Sequence, residues 1–443
     1  MTDKNNPREI FGWKMYDWAN SAFSTTVAGA LFAPYLTRLA QSQVGENGVV
    51  LDLGLLGEVT AKSLPTLCVS ISVGLQVFVL PVLGALGDYS DLKKRLMAVF
   101  CYIAVLATCL MFFITDGWHL WGGVLFIIAN VCFGASIVFY NAFLPEIATD
   151  DQTDKVSSRG FAYGYLGGAL LLVLNFLLVQ RAESFGISTG LAVRLSLLSA
   201  GLWWGTFALF TFYLLGSRPK KKSLPPGMGY VRAGFAEIVA TFKELRRLPL
   251  TLRYLIAFLI YNDGVQTVIF AASAFLEQEL FPGGNPAFLL KIYLMVQFVA
   301  VVGALFFERL AYLIKTKNAI MVSLVIWSGV VIYAYRFLDT VPEAWFMAGV
   351  IAIVLGGSQA LSRSLFSRMI PAGKEASFFG LYEVSERGTS WMGPLLFSVV
   401  IARTGSYRQA LLSLIFFFVV GLIVLAITNT DKAVREARME PEL

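Results

Sequence analysis

Charged residues are scarce in this 443-residue chain, and their scarcity excludes several classes of protein. Lys, Arg, Asp and Glu make up 14% of the residues, against roughly 25% in an ordinary soluble domain. A soluble chain of this length needs many more charges to cover its surface. With 57% hydrophobic residues and a mean hydropathy of +0.69, the composition excludes a soluble enzyme, a DNA-binding protein and a disordered scaffold. It favours a polytopic helical membrane protein.

Residues that usually carry catalysis or bind metals are also rare. The single histidine, His119, excludes a multi-histidine metal site. The four cysteines lie in apolar stretches, which is typical of small core residues rather than of disulfides or metal ligands. The sequence has no phosphate-binding P-loop, paired zinc motif or serine–histidine arrangement. The net charge of +6 comes with no basic face bearing base-stacking groups. We therefore predict no enzymatic activity, no cofactor, no metal and no nucleic-acid partner.

Long apolar runs are abundant instead, and they are continuous rather than alternating. They predict twelve transmembrane helices in an all-α integral membrane protein. The predicted spans are 14–39, 63–87, 95–115, 118–142, 159–180, 191–215, 251–278, 286–307, 319–338, 343–366, 377–402 and 407–428.

The cations are distributed unevenly between the loops that join these spans. With the N-terminus inside, 24 Lys and Arg residues fall on the cytoplasmic side and 8 on the other side. Positive charges accumulate in cytoplasmic loops. The distribution therefore predicts that both termini are cytoplasmic.

The longest polar stretch separates two sets of six spans. It opens with the basic run Arg218–Lys222 and continues with apolar residues at helical spacing. This pattern predicts an amphipathic helix on the inner membrane surface, and an ordinary linker helix is an equally open interpretation. We predict a six-helix bundle over 1–215, a cytoplasmic linker with an amphipathic helix over 216–250, and a second six-helix bundle over 251–443.

A short polar pattern occurs in both predicted bundles. An acid is followed three and four residues later by an amide and a hydroxyl, which places all three groups on one helical face. The two copies are Asp17, Asn20 and Ser21 in the first span and Asp263, Gln266 and Thr267 in the seventh. Weak internal symmetry of this kind is typical of secondary transporters, whose substrate site lies between the two halves near the middle of the membrane.

Several motifs resemble those of a known family. Gly84-Ala-Leu-Gly-Asp88-Tyr-Ser-Asp91-Leu-Lys93-Lys94-Arg95 resembles the signature loop after the second helix of the major facilitator superfamily, with Asp91 where a second glycine is usual. Five further motifs are similar to the branch that includes the fungal vacuolar amino-acid effluxers of autophagy and their bacterial relatives. They are Tyr16–Phe23, Phe139–Pro145, Tyr261–Thr267, Gly357–Ser364 and Phe379–Tyr382.

This resemblance covers about residues 7–428 and implies the major facilitator fold, with two pseudo-symmetric six-helix bundles. It also implies a monomer in a bacterial inner membrane. In this superfamily the signature loop helps to hold the cytoplasmic side shut, with its aspartate against the positive N-terminus of the eleventh helix. The resemblance therefore implies a gating role for Gly84, Asp88, Lys93, Lys94 and Arg95.

The few charges inside the predicted spans are the main candidates for function. An ionised side chain at mid-membrane costs on the order of 3 kcal/mol, so it usually faces a cavity or a partner. Asp17, Arg363 and Glu383 lie near the cytoplasmic ends of their spans and predict an inner charged layer. The sequence leaves open whether this layer is a gate of ion pairs or a direct substrate or proton site.

Four of the candidates have more specific interpretations. Glu383 and Arg387 have the spacing of a helical ion pair. The guanidinium of Arg363 is suited to bind a substrate carboxylate. Asp263 lies near the midplane and predicts proton coupling, with a structural hydrogen bond to the kinked backbone at Gly264 as the alternative.

Together these features predict a secondary active transporter. It would move a small polar solute, an amino acid or similar metabolite, by alternating access with proton coupling, and its partners would be that solute, protons and membrane lipids. The alternatives are an exporter of amphiphilic compounds or lipids and a non-transporting receptor or scaffold. The predicted substrate or proton site comprises Asp17, Asn20, Tyr140, Asn141, Tyr261, Asn262, Asp263, Gln266, Gln359, Arg363, Glu383 and Arg387.

Overall fold

The computed structural model describes residues 4–46, 48–54, 57–89, 93–216, 230–281, 285–388 and 391–438. These residues are almost entirely helical. The exception is a short antiparallel ribbon of β1 (Val49–Asp52) and β2 (Glu58–Thr60), in which Val49 pairs with Thr60 and Asp52 with Glu58. The prediction of an all-α protein is therefore confirmed.

The described residues of the N-terminal half form eight α-helices. A π-helical segment, Phe23–Leu31, joins the first two of them into one interrupted helix. The helices are α1 (Pro7–Ala22), α2 (Phe32–Val44), α3 (Leu64–Tyr89), α4 (Lys93–Leu110), α5 (His119–Ala142), α6 (Leu144–Ile147), α7 (Asp150–Gln180) and α8 (Thr189–Leu214).

Ten α-helices lie in the described part of the C-terminal half, and a second π-helical segment, Val384–Gly388, follows α14. The helices are α9 (Tyr230–Arg247), α10 (Pro249–Leu280), α11 (Pro286–Ile314), α12 (Thr316–Phe337), α13 (Val341–Ser367), α14 (Glu375–Glu383), α15 (Met392–Thr404), α16 (Tyr407–Ser413), α17 (Ile415–Ala426) and α18 (Thr430–Arg438).

Ten helical stretches among the described residues are long and apolar enough to cross a membrane. They correspond to ten of the twelve predicted spans. The other two predicted spans, 14–39 and 377–402, fall on the two helices that the π-helical segments interrupt. The count of twelve and the division into 1–215, 216–250 and 251–443 stay predictions.

The predicted amphipathic helix corresponds to α9, which packs against α3 and α14. Leu245 is buried on one side of α9, whereas Val239 and Phe242 are exposed on another. An ion pair between Glu244 and Lys374 fastens α9 to the residue that precedes α14. The basic run Arg218–Lys222 lies outside the described residues.

Helices that precede α9 in the chain contact helices that follow it at one end of the bundle. The contacts include those of α3 and α5 with α14, and those of α7 with α11 and α13. The first and last described residues, Lys4 and Arg438, lie at this end, because Lys4 donates to the Pro145 carbonyl at 2.8 Å and Arg438 pairs with Asp150. We call it the termini end.

Close approach of α3 to α14 at the termini end depends on Gly84. A Cβ atom at this position would overlap the backbone carbonyl of Ala376. Because that obstacle is backbone, the two helices would have to separate to admit a side chain. Gly84 therefore sets how tightly the two halves close at the termini end.

We predict that Gly84→Ala lowers the free energy of unfolding by about 1–3 kcal/mol, the usual effect of overpacking. The measurement is the unfolding of the purified protein in detergent. The matched control is Gly74→Ala in the same helix, where a Cβ meets no atom within 4 Å. Equal stability of the two variants would contradict the account of this contact.

Candidate functional site

A cavity of about 940 Å³ lies between the N-terminal and C-terminal helices. It extends from Thr66 and Ser70, in the first turns of α3, to Asp17 and Arg363. At the termini end it is closed by the packing of α3 on α14 and of α7 on α11 and α13. The cavity therefore separates the two halves away from that end.

Both π-helical segments contribute residues to the cavity wall. Ser24 and Thr25 come from the first segment, and Glu386 and Arg387 come from the second. A π-helical turn contains an extra residue, changes the direction of side chains and is frequent at functional sites. Asn262 of α10 holds the second segment in place, because its Nδ2 donates to the Glu386 carbonyl at 3.1 Å.

The buried side chain of Arg363 crosses from α13 to three helices of the N-terminal half. Its Nε donates to Ser157 Oγ at 3.0 Å, and its Nη1 donates to Asn141 Oδ1 at 3.3 Å. Its Nη2 donates to Asp17 Oδ2 at 3.3 Å and to the Ser157 carbonyl at 3.0 Å. Four hydrogen bonds, of which the one to Asp17 is also an ion pair, thus join the two halves through a single guanidinium.

Aromatic rings surround this guanidinium. Its central carbon lies 4.2 Å from the ring centroid of Phe161, 4.8 Å from that of Trp13 and 5.5 Å from that of Tyr140. Trp13 stacks on Tyr140 with 4.4 Å between centroids, and Tyr140 donates to Asp17 Oδ2 at 2.6 Å. Cation–π attraction adds to the ion pair where water is excluded. The arrangement holds both charges in one position.

Small residues on α7 make room for the ion pair. A Cβ atom at Gly160 would lie 2.6 Å from Asp17 Oδ2 and 2.8 Å from Trp13. Gly164 faces Ser21, and Gly168 faces Thr25, with similarly short approaches. These glycines therefore serve the close packing of α7 against the first helix and its π-helical segment, as their spacing of four residues indicates.

A second ion pair lies on the other side of Asn141. Asn141 Nδ2 donates to Glu383 Oε1 at 2.7 Å, and Arg387 Nε donates to Glu383 Oε2 at 3.1 Å. The predicted helical pair of Glu383 and Arg387 is confirmed. Asn141 thus joins the two ion pairs into one hydrogen-bonded chain, Asp17–Arg363–Asn141–Glu383–Arg387, which we call the charged chain.

Most of the predicted site residues line the cavity. Gln359 does so while accepting a hydrogen bond from Tyr165 at 3.0 Å. The nine predicted residues in the wall are Asp17, Asn20, Asn141, Asn262, Gln266, Gln359, Arg363, Glu383 and Arg387.

Three predicted site residues lie outside the cavity wall. Tyr140 is behind Asp17, and the hydroxyl of Tyr261 lies 2.6 Å from Ser362 Oγ. Asp263 is fully buried, and its Oδ2 accepts from the backbone N–H of Gly393 at 2.9 Å, in the first turn of α15. The expected structural hydrogen bond therefore exists, but its partner is Gly393 and not the backbone at Gly264.

The residues of the signature loop lie at the termini end. Asp88 accepts from the backbone N–H groups of Ala376 at 2.9 Å and Ser377 at 2.8 Å, in the first turn of α14. This is the contact that the family resemblance implies, and its role in gating stays a prediction. Asp91 lies outside the described residues.

The three cations of this loop have different surroundings. Lys93 pairs with Glu146 at 3.1 Å, and Lys94 donates to the Leu215 carbonyl at 2.6 Å. Both contacts stay within the N-terminal half. Arg95 is exposed. Among the described signature residues, Gly84, Gly87 and Asp88 approach α14.

Sequence reasoning missed several residues of the site. Ser157 lies before the fifth predicted span, which begins at 159, whereas α7 begins at Asp150. Glu386 reaches the cavity through the π-helical turn, which a regular helical spacing does not describe. Tyr165 could have been found from the sequence, because it is a polar aromatic residue in a glycine-rich span.

The buried pair of Asp17 and Arg363 should be strongly coupled. Removing one partner of a buried ion pair costs about 3–5 kcal/mol, because the other charge is left uncompensated. We predict a coupling of about 1–3 kcal/mol in a double-mutant cycle of Asp17→Asn and Arg363→Gln, measured on the free energy of unfolding in detergent.

The matched control is the pair of Arg159 and Glu308, which also joins the two halves, at 3.3 Å. The Arg159 side chain is 45% exposed, against 5% for Arg363, and exposed pairs contribute about 0–1 kcal/mol. We call the buried pair of Asp17 and Arg363 the lock, because it joins the two halves. A coupling in the lock no larger than that of the control would contradict this role.

Comparison with known sequences agrees with these observations. The model of the family described as "Vacuole effluxer Atg22 like" matches residues 5–438. The chain is 30% identical over 429 residues to the uncharacterized MFS-type transporter YxiO of Bacillus subtilis (strain 168), with 95% of each chain covered. It is 24% identical over 553 residues to autophagy-related protein 22-1 of Penicillium rubens, covering 98% of this chain and 92% of that protein.

Solved structures show the same fold. The human organic anion transporter MFSD10 (TETRAN) superposes with a TM-score of 0.69 at 13% identity, over 96% of this chain and all (100%) of the other. The proton:xylose symporter XylE superposes with a TM-score of 0.67 at 13% identity, over 95% of this chain and 94% of the other. The resemblance inferred from the sequence motifs is confirmed. The chain belongs to the Atg22-like family of major facilitator superfamily transporters.

Proposed function

We propose that this chain is a secondary active transporter of a small polar solute, an amino acid or similar metabolite, in a bacterial inner membrane. Transport proceeds by alternating access and is coupled to protons. The observation that carries this proposal is the charged chain at the deep end of a cavity between the two halves. A substrate bound there touches both halves at once.

The cavity wall favours a polar solute over an amphiphile. It carries both signs of charge, from Arg387 and Glu386, together with the side-chain amides of Asn20, Asn262 and other residues. An apolar ligand would displace water from these polar groups and offer them no hydrogen bond in return, which is costly. A zwitterion of the size of an amino acid presents the complementary charges.

Alternating access requires the contacts at the termini end to break. In this structure they are closed: Asp88 bonds to the first turn of α14, and Arg363 bonds to Asp17. With the termini on the cytoplasmic side, as the positive-inside rule predicts, the cavity opens outward. The inward-open state then needs these contacts to separate while new ones form on the outer side.

Protonation of Asp17 supplies a route for coupling. A neutral Asp17 would lose its Coulombic attraction to Arg363, and a weaker pair favours separation of the two halves. Proton binding and opening of the termini end then become linked equilibria. Asp263 is the second candidate carboxylate, although its contact with Gly393 places it beside α15.

The test is uptake of radiolabelled amino acids into proteoliposomes, with and without an inward proton gradient. We expect the gradient to stimulate uptake by the wild-type protein. Asp17→Asn should abolish that stimulation, because it removes the titrating group that is bonded to Arg363. Asp263→Asn tests the second candidate in the same way.

Both variants are compared at equal amounts of folded protein. Absence of amino-acid uptake by the wild-type protein would contradict the proposed substrate class. Full gradient-driven uptake by Asp17→Asn would contradict its role in proton coupling, and the same result for Asp263→Asn would exclude that residue.

A further inference from the structure

We infer that a carboxylate group of the substrate binds to Arg387, and that Arg363 binds no substrate and only locks the two halves together. This inference rests on the proposed function and assigns its anion-binding residue. It also reverses the expectation that Arg363 receives the carboxylate.

Arg363 has almost no capacity left for a ligand. A guanidinium carries five N–H donors, and four hydrogen bonds already bind Arg363 to Ser157, Asp17 and Asn141. Aromatic rings cover its faces, and its side chain is only 5% exposed. A substrate carboxylate at Arg363 would have to displace Asp17 and leave that charge buried without its partner.

Arg387 has the opposite character. Its Nε donates to Glu383, but its two terminal amino groups make no hydrogen bond within the described part of the chain. One face of the guanidinium rests on Phe133, with 4.8 Å between the guanidinium carbon and the ring centroid. Its side chain is 22% exposed and lines the cavity. The terminal amino groups therefore form an available fork for a carboxylate.

The surroundings of Arg387 fit a ligand that also carries a positive group. Glu386 precedes Arg387 in the π-helical segment and lines the same cavity. Asn20 also lines the cavity, and its Nδ2 has no hydrogen-bond partner in the described structure. An α-amino acid would place its carboxylate on Arg387 and its ammonium group near Glu386.

Binding of a ligand at Arg387 can also affect the ion pair of Arg363 and Asp17. A carboxylate on Arg387 competes with Glu383 for the same guanidinium. Glu383 is bonded to Asn141, and Asn141 is bonded to Arg363. A change in the Glu383–Arg387 pair therefore alters the acceptors of Arg363 through contacts between neighbours in the charged chain.

The experiment measures the preference for an acid over its amide. Equilibrium binding of an amino acid and of the corresponding amino-acid amide is measured by calorimetry on the purified protein. The wild-type protein should bind the acid about 10–100-fold more tightly, the usual value of a hydrogen bond to a charged group. Arg387→Gln should remove most of this preference by weakening the binding of the acid alone.

Two further variants keep the test decisive. Arg387→Lys retains the charge without the fork and should keep part of the preference. Arg363→Lys should lower the temperature of unfolding but keep the full preference of the wild-type protein. Thermal unfolding of each variant, followed in the absence of ligand, verifies that the protein used for calorimetry is folded.

The outcomes separate this inference from the proposed function. Absence of binding of any amino acid by the wild-type protein would contradict the proposed substrate class. Binding of acid and amide with equal affinity would overturn the inference alone. A preference that survives Arg387→Gln and disappears in Arg363→Lys would return the carboxylate to Arg363.

Discussion

An arginine side chain buried between apolar helices needs acceptors for its N–H groups, and this need shapes the centre of the molecule. Arg363 finds its acceptors on the opposite half of the chain, at Asp17, Ser157 and Asn141. The absence of a side chain at Gly160 lets these groups approach. The rings around the guanidinium exclude water from the same place. Because a buried charge without a partner is costly, the two halves are held together at this level.

The need of buried charges for partners also explains why the residues that hold the two halves together are linked to those proposed to bind the substrate. Asn141 accepts from Arg363 and donates to Glu383, so it connects a buried lock with a partly exposed ion pair. A transporter must break its lock in each cycle, and a lock of polar bonds weakens when one partner is protonated or takes another ligand. Packing of Gly84 against Ala376 adds a contact that depends on shape and not on charge. The ion pair of Arg363 and the close packing of Gly84 thus both hold the termini end closed.

Sequence reasoning predicted the helices and nine residues of the cavity wall, because apolar runs and buried charges both have large energetic costs in a membrane. Apolar runs must cross the membrane, and a charge such as Arg363 or Asp17 inside them must face a partner or a cavity. It did not show which neighbour each polar group meets. Asp263 has the depth of a site residue but bonds to Gly393, and that contact depends on how α10 packs against α15. The π-helical segment that carries Arg387 has no periodic signal either, because it departs from the regular helical repeat.

The central claim is that the pair of Arg363 and Asp17 closes the cavity at the termini end. The most direct measurement is the reaction of a single cysteine at Ser21, in the cavity wall, with an impermeant maleimide in oriented vesicles. The four native cysteines are first replaced by alanine. We predict that Ser21→Cys reacts from the side opposite the termini, and that it reacts from the termini side only when Arg363→Gln is also present. Equal reaction from both sides without that substitution, or no effect of the substitution, would contradict the account.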